Sequence, residues 1–179
     1  AFYGPKLDFK LRDSMNRIWQ CGTIQLDMQL PGRFGCFYIN ADGSHATPIM
    51  LHRACFGSLE RFIGIITENF AGHFPLWLSP RQIVVLPVNN EYHLEYAKKV
   101  VSLLEEAGFD VTLDAREEKL GYRIRENQLL KVNYQVVIGD NERDTNSVKV
   151  RKFGSQEQIS YSINDFVNML GNEVGSKEY

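Results

Sequence analysis

His52, Arg53, Ser58, Glu60 and Arg61 crowd into one short stretch directly after the apolar run Pro48 to Leu51. An imidazole and a guanidinium where a strand ends, a hydroxyl at a helix start and an arginine in the first turn can offer positive charge and backbone N–H groups to an anion. The same residues also fit an ordinary helix start with a solvated Glu-Arg face, and spacing alone leaves both readings open. The run ending at Leu51 reads as a strand and Gly57 as the turn after it, with Leu59, Phe62, Ile63 and Ile66 recurring at helical spacing.

The elements that must position this junction are legible upstream. Leu7, Phe9 and Leu11 alternate with Asp8, Lys10 and Arg12, the period of a half-buried strand, and Asp13-Ser14-Met15-Asn16 supplies a turn. Further strands are expected over 19–26, 34–40 and 47–51, with Ala41-Asp42-Gly43-Ser44 as hairpin chemistry. Successive strands closed by the helix from Ser58 imply an antiparallel sheet. The aromatic, Pro- and Gly-punctuated stretch 69–80 ends this first domain, taken as residues 1–80.

From Gln82 the pattern switches. Strands are expected over 83–88, 109–113, 134–138 and 148–153, and helices over 92–107, 119–131 and 163–170, with a polar tail from Gly171. Strands alternating with helices imply a second domain, 81–179, with a mostly parallel sheet flanked by helices. Ligands of such sheets bind beyond the carboxyl ends of the strands.

Twenty Lys and Arg against 22 Asp and Glu give a net charge of −2, so bulk charge makes no case for nucleic acid and any RNA would need a local patch. Arg116, Lys119, Arg123, Arg125 and Lys131 form such a cluster, although interspersed Glu117, Glu118 and Glu126 would look the same on a solvated helix face. Cys21, Cys36 and Cys55 make neither a metal knuckle nor an even disulfide set, and a reducing, cytoplasmic setting is the default. Cys21 and Cys55 read as small apolar core residues. No apolar run approaches the roughly 20 residues needed to cross a bilayer, and neither a membrane nor DNA is expected as a partner. The chain opens without Met, and a longer parent protein is expected.

Strand followed by Gly-x-x-Glu-Arg resembles the third signature motif of class II aminoacyl-tRNA synthetases. Phe2-Tyr3-Gly4-Pro5-Lys6, Gln20-Cys21-Gly22-Thr23-Ile24-Gln25-Leu26-Asp27, His52-Arg53-Ala54 and Trp77-Leu78-Ser79-Pro80 are similar, in order, to blocks of the threonyl family. The resemblance implies the C-terminal part of an α+β antiparallel-sheet catalytic core followed by an α/β anticodon-binding domain. It implies ligation of threonine to its tRNA with ATP and Mg²⁺, and a homodimer in the whole protein. Tyr3 and Gln25 would contact threonine, Lys6 the reacting end, and Gln20, Ser58 and Arg61 the ATP. His52 would be one of three ligands to a zinc, two being expected upstream. A hydroxyl that must act as a ligand rejects the analogue lacking it far better than shape does, by roughly 10⁴-fold. Anticodon contacts would fall on Glu117, Arg125, Lys131, Glu142 and Arg151, with Arg123 left to general phosphate attraction. A module from a synthetase's C-terminal half, inactive but RNA-binding or regulatory, is the alternative from a different class.

Overall fold

The structure, a computed structural model, describes residues 4–177. They fall into two compact units that divide between Phe70 and Ala71.

In the first unit, strand β1 (Lys6–Arg12) turns at Asp13–Asn16 into β2 (Ile18–Asp27), and β2 pairs on its other edge with β5 (Met50–Ala54), antiparallel throughout. Between them lie a short helix α1 (Leu30–Arg33) and a two-residue ladder of β3 (Tyr38–Ile39) and β4 (His45–Ala46). The strand expected over 34–40 is thus cut to its last residues, because Phe34 and Cys36 bond back to the carbonyls of Leu30 and Pro31 to close α1. Helix α2 (Leu59–Asn69) begins where the sequence places it, Ser58 Oγ accepting from the Arg61 N–H at 3.4 Å. The expected half-burial of β1 is not realised among the described residues: Phe9 is 55% exposed, and Leu7, Leu11 and Leu51 are also exposed. Cys55 is exposed as well, so only Cys21 matches its reading as a core residue.

In the second unit a 3₁₀ turn (Leu76–Leu78) leads to β6 (Ile83–Pro87), α3 (Asn90–Glu106), β7 (Val111–Leu113), α4 (Leu120–Leu129), β8 (Tyr134–Ile138), α5 (Asp140–Thr145), β9 (Ser147–Lys152), β10 (Ile159–Ser162) and α6 (Ile163–Ser176). Leu76 is fully buried with Ile83 and Val85, and its carbonyl accepts from Gln82, so residues 71–80 pack with this unit although composition attached them to the first.

The sheet order is β10-β9-β8-β6-β7. Only β6 with β7 and β6 with β8 are parallel, so the sheet is mixed, with a parallel core. The departure from a mostly parallel sheet has a simple cause. Six residues of α5 join β8 to β9, and a parallel crossover takes about a dozen or more. β6 is buried on both faces: Ile83 and Val85 pack under α3 and α6, while Val84 and Leu86 pack with Leu120 and Ile124 of α4. Each such side chain contributes about 1.5–3 kcal/mol. The expected polar tail is instead the end of α6, which Glu173 ties to the Tyr134 hydroxyl and to Lys152.

Asp13 organises the β1–β2 turn. Its carboxylate accepts from the Met15 and Arg17 N–H groups (both 2.9 Å), the Arg17 guanidinium (2.6 Å) and Trp19 Nε1 (2.8 Å). Burial opposes ionisation, yet these donors, Trp19 and Arg17 foremost, lower its pKa to about 2. A folded pKa below the unfolded value of about 3.9 stabilises fully above that value and is lost as pH falls through the folded one. Asp13→Asn should therefore destabilise the first unit at pH 6 and cease to differ from wild type near pH 2, as read by chemical unfolding at both pH values.

Candidate functional site

Register decides which side chains of the three-stranded sheet share a face. Gln25 stands opposite Lys6 on one side and His52 on the other, and Thr23 stands opposite Asp8. Alternate residues return to the same side, so Lys6, Asp8, Thr23, Gln25, Asp27 and His52 look one way. Asp8 collects Lys6 Nζ at 3.0 Å and Gln20 Nε2 at 2.9 Å. Asp27 is fully buried. One of its oxygens accepts from the N–H groups of Gln29 (2.8 Å) and Leu30 (3.0 Å), and the other lies 2.8 Å from His52 Nε2. Burial pushes this carboxyl upward, but the Leu30 N–H, His52 and the Gln29 N–H outweigh it and hold the pKa below the ordinary value. His52 sits within β5 rather than at a strand end, where a neighbouring strand can clamp it.

The structure thus brings Lys6, Gln20, Gln25 and His52 together. Tyr3 lies outside the described residues. At the start of α2, Ser58 Oγ also donates to Glu60 at 2.6 Å, and Arg61 is exposed. Gly57 makes that start possible: its φ is +70°, and a Cβ there would meet the Cys21 carbonyl at 3.1 Å.

In the second unit the expected contacts separate into two groups. Glu117 follows β7 and is exposed, and Glu142 follows β8, both at the carboxyl ends of parallel strands. Glu142 is mostly buried, and one carboxylate oxygen accepts from the Gly139 N–H at 3.0 Å, closing the first turn of α5. Arg151 pairs in register with Gln135, near the amino end of β8. Its guanidinium donates to the Ser155 carbonyl at 3.0 Å and to Gln156. Lys131, just before β8, donates to the Ala71 carbonyl, and Arg125 is exposed on α4.

Arg123 corrects the reading of the basic cluster. It is 3% exposed and donates to the carbonyls of Glu118 (3.1 Å), Asp114 (2.6 Å) and Pro87 (2.8 Å), so each of its three guanidinium nitrogens is engaged inside the fold rather than offered on the surface. Arg116 is likewise committed, bonding Asp114 twice at 2.8 Å and Glu126 at 2.6 Å. That pairing with Arg116 holds the Asp114 carboxyl below its ordinary pKa although burial opposes it.

Residues 82–173 match the model of the anticodon binding domain, just over half of the chain. The chain belongs to the anticodon-binding-domain family. Ahead of that domain, residues 1–70 match the class II core domain of the tRNA synthetases for G, H, P, S and T. Threonine–tRNA ligases of Bartonella tribocorum and Desulforamulus reducens are 51% and 50% identical over 97% and 99% of the chain. The chain spans about a quarter of the length of these curated relatives, 26% and 28%. The crystal structure of the RNA binding domain of threonyl-tRNA synthetase from Cryptosporidium parvum superposes with a TM-score of 0.87 at 41% identity, covering 97% of this chain and 44% of that one.

Sequence reasoning missed Asp8, Asp27 and Asp114 around these class II core and anticodon-binding elements. The signal for the first two was present. Once β2 is paired antiparallel with its neighbours, Asp8 and Asp27 must fall on the face of Gln25 and His52. Asp114 offers no such cue, because its partners come from α4 and the loop before it.

The glycine junction yields a paired test. Gly57→Ala should cost about 1–3 kcal/mol, the price of forcing a side chain into a left-handed conformation. Gly64→Ala, in open space within α2, should stabilise by about 0.5–1 kcal/mol. Urea unfolding of the two variants checks both signs.

Proposed function

We propose that the chain is part of an enzyme that activates threonine with ATP and Mg²⁺ and transfers it to threonine tRNA, the first unit holding part of the active site and the second reading the anticodon. The observation that carries this reading is the shared face of Lys6, Gln20, Gln25 and His52, in a segment that matches the class II core domain. Gln25 faces the threonyl side, Tyr3 is assigned to the threonyl group by resemblance alone, and Lys6 lies toward the reacting carboxylate. Gln20, Ser58 and Arg61 meet the nucleotide, Arg61 stacking on the adenine. Acyl transfer of this kind needs placed charge and proximity rather than a protein nucleophile. A homodimer is proposed for the whole enzyme, and the cytoplasm is its proposed setting.

No three His, Cys, Asp or Glu side chains among the described residues could hold a metal together, so His52 would be one ligand of a set completed elsewhere in the longer protein. The donor chemistry fits. Metal-binding histidines are commonly steadied by a carboxylate, and Asp27, fully buried and 2.8 Å away, fills that role. A zinc held by three protein ligands and able to expand to five-coordinate would supply a site for both the amino and hydroxyl groups of threonine. Asp27 keeps the ring in place. Gln25, opposite His52, borders the same space.

In the intact protein, His52→Ala should lose bound zinc and threonine-dependent pyrophosphate exchange together. Stoichiometric zinc with exchange intact would remove His52 from the site.

For the second unit, bases in a single-stranded loop expose their edges, so a few placed side chains can read them. Glu117 and Glu142 at one end of the sheet, and Arg125, Lys131 and Arg151 nearer the other, suit a splayed loop better than a single base pocket. Arg151→Ala should relax discrimination at one anticodon position by about 1–3 kcal/mol. Charging of threonine tRNAs with single anticodon substitutions measures it, and unchanged selectivity would place the anticodon elsewhere.

A further inference from the structure

Arg123 is a buried cation for which no carboxylate partner is found among the described residues. Its three nitrogens each donate to a carbonyl, from three segments: Pro87 at the end of β6, Asp114 just past β7, and Glu118 in the loop that leads to α4. Burying a charge against neutral acceptors is a costly way to stabilise a fold, and a well-packed apolar residue commonly does as well or better. What the guanidinium supplies instead is geometry, since its planar fork fixes three chain segments relative to one another.

The segments it fixes border a cavity of about 320 Å³, lined among others by Val88, Asn90, Arg116 and Glu117. That volume is at the lower end of the range for small-ligand sites. Two further clamps act on the same loop. Asn90 Nδ2 donates to the Ala115 carbonyl at 2.7 Å, and the Asp114 carboxylate joins Arg116 to Asn127 at 3.1 Å. Asn90 Oδ1 is buried with no hydrogen-bond partner among the described residues. Glu117, at the exposed tip of this loop, faces the cavity with exposed Glu91 and Glu118.

We propose that Arg123 is a positioning residue that holds loop 115–119 as one wall of a base-reading site, acting through Glu117 without touching RNA. The proposal rests on the anticodon-binding reading above. Lys at this position keeps the charge, but its N–H groups radiate from a single nitrogen and cannot span the three carbonyls that the planar fork reaches.

The experiment measures binding by the intact protein of its cognate tRNA and of tRNAs with single anticodon substitutions, for wild type, Arg123→Lys and Asn90→Ala, across a range of salt. Arg123→Lys should reduce discrimination at one anticodon position about tenfold, with the salt dependence unchanged. Asn90→Ala, which frees the same loop at Ala115 from a partly exposed site, should reduce discrimination at that same position, and it carries the test if Arg123→Lys does not fold. A discrimination ratio is insensitive to the fraction of protein folded, so a purely structural role would leave it at the wild-type value and overturn the proposal. If wild type itself does not discriminate among the anticodons, the anticodon reading fails and the proposal with it. Discrimination by wild type that both variants retain would defeat the positioning role alone.

Discussion

The burial of β6 on both faces is the constraint to which the second unit answers. With Ile83 and Val85 on one side and Val84 and Leu86 on the other, no position along the strand is left for a polar side chain. Chemistry is driven to its carboxyl end. There the chain must turn, and carbonyls lose their ladder partners, so the Pro87 carbonyl needs a donor that the sheet cannot provide. Arg123 reaches in from α4 to supply it, and with the same side chain secures Asp114 and Glu118. The residue that repairs the end of the strand is thereby the one that fixes the loop beside it.

In the first unit the comparable constraint is the all-antiparallel pairing of β1, β2 and β5. It sends one row of polar side chains to a common face and pairs them among themselves, Asp8 with Lys6 and Gln20, Asp27 with His52. Asp27 does two things there. It caps the turn into α1 through Gln29 and Leu30, and the same carboxylate orients His52, so the ring is set by backbone that is itself fixed. Sites positioned in this way tolerate little slack. A register slip of one residue would send every one of these groups to the opposite face.

Much of this could be read from the sequence, and the exceptions have physical causes. The helix start at Ser58 was legible because capping chemistry is local, and β6, α3, α4 and β8 because their hydrophobic periods are unambiguous. β10 and the antiparallel return of β9 were not, since they follow from the shortness of the α5 connection rather than from any pattern within the strands. Lys6, Gln20, Gln25 and His52 were picked out through family blocks, yet their convergence depends on pairings that the chain order only implies. Arg123 was misread because one-dimensional clustering of basic residues cannot distinguish a guanidinium facing solvent from one facing three carbonyls.

The charge balance bears on the proposed RNA contact, since the second unit carries an excess of acid. Of the five basic residues clustered between 116 and 131, Arg116 is paired with Asp114 and Glu126, Arg123 is buried on carbonyls, and Lys131 caps Ala71. Arg143 is paired with Asp140 and Asp144, and Lys152 with Glu173. Pairing of this kind withdraws part of the second unit's positive charge from a phosphate backbone, while Lys99, Lys119, Arg125 and Lys149 stay outside these pairs, so the electrostatic term that dominates non-specific binding is reduced. Under the proposed anticodon reading, base edges met by fixed side chains carry more of the affinity. Those contacts lose their worth when the side chains wander, so a surface whose charge is partly paired places its demand on rigidity, and the polar groups around loop 115–119 are spent on meeting it.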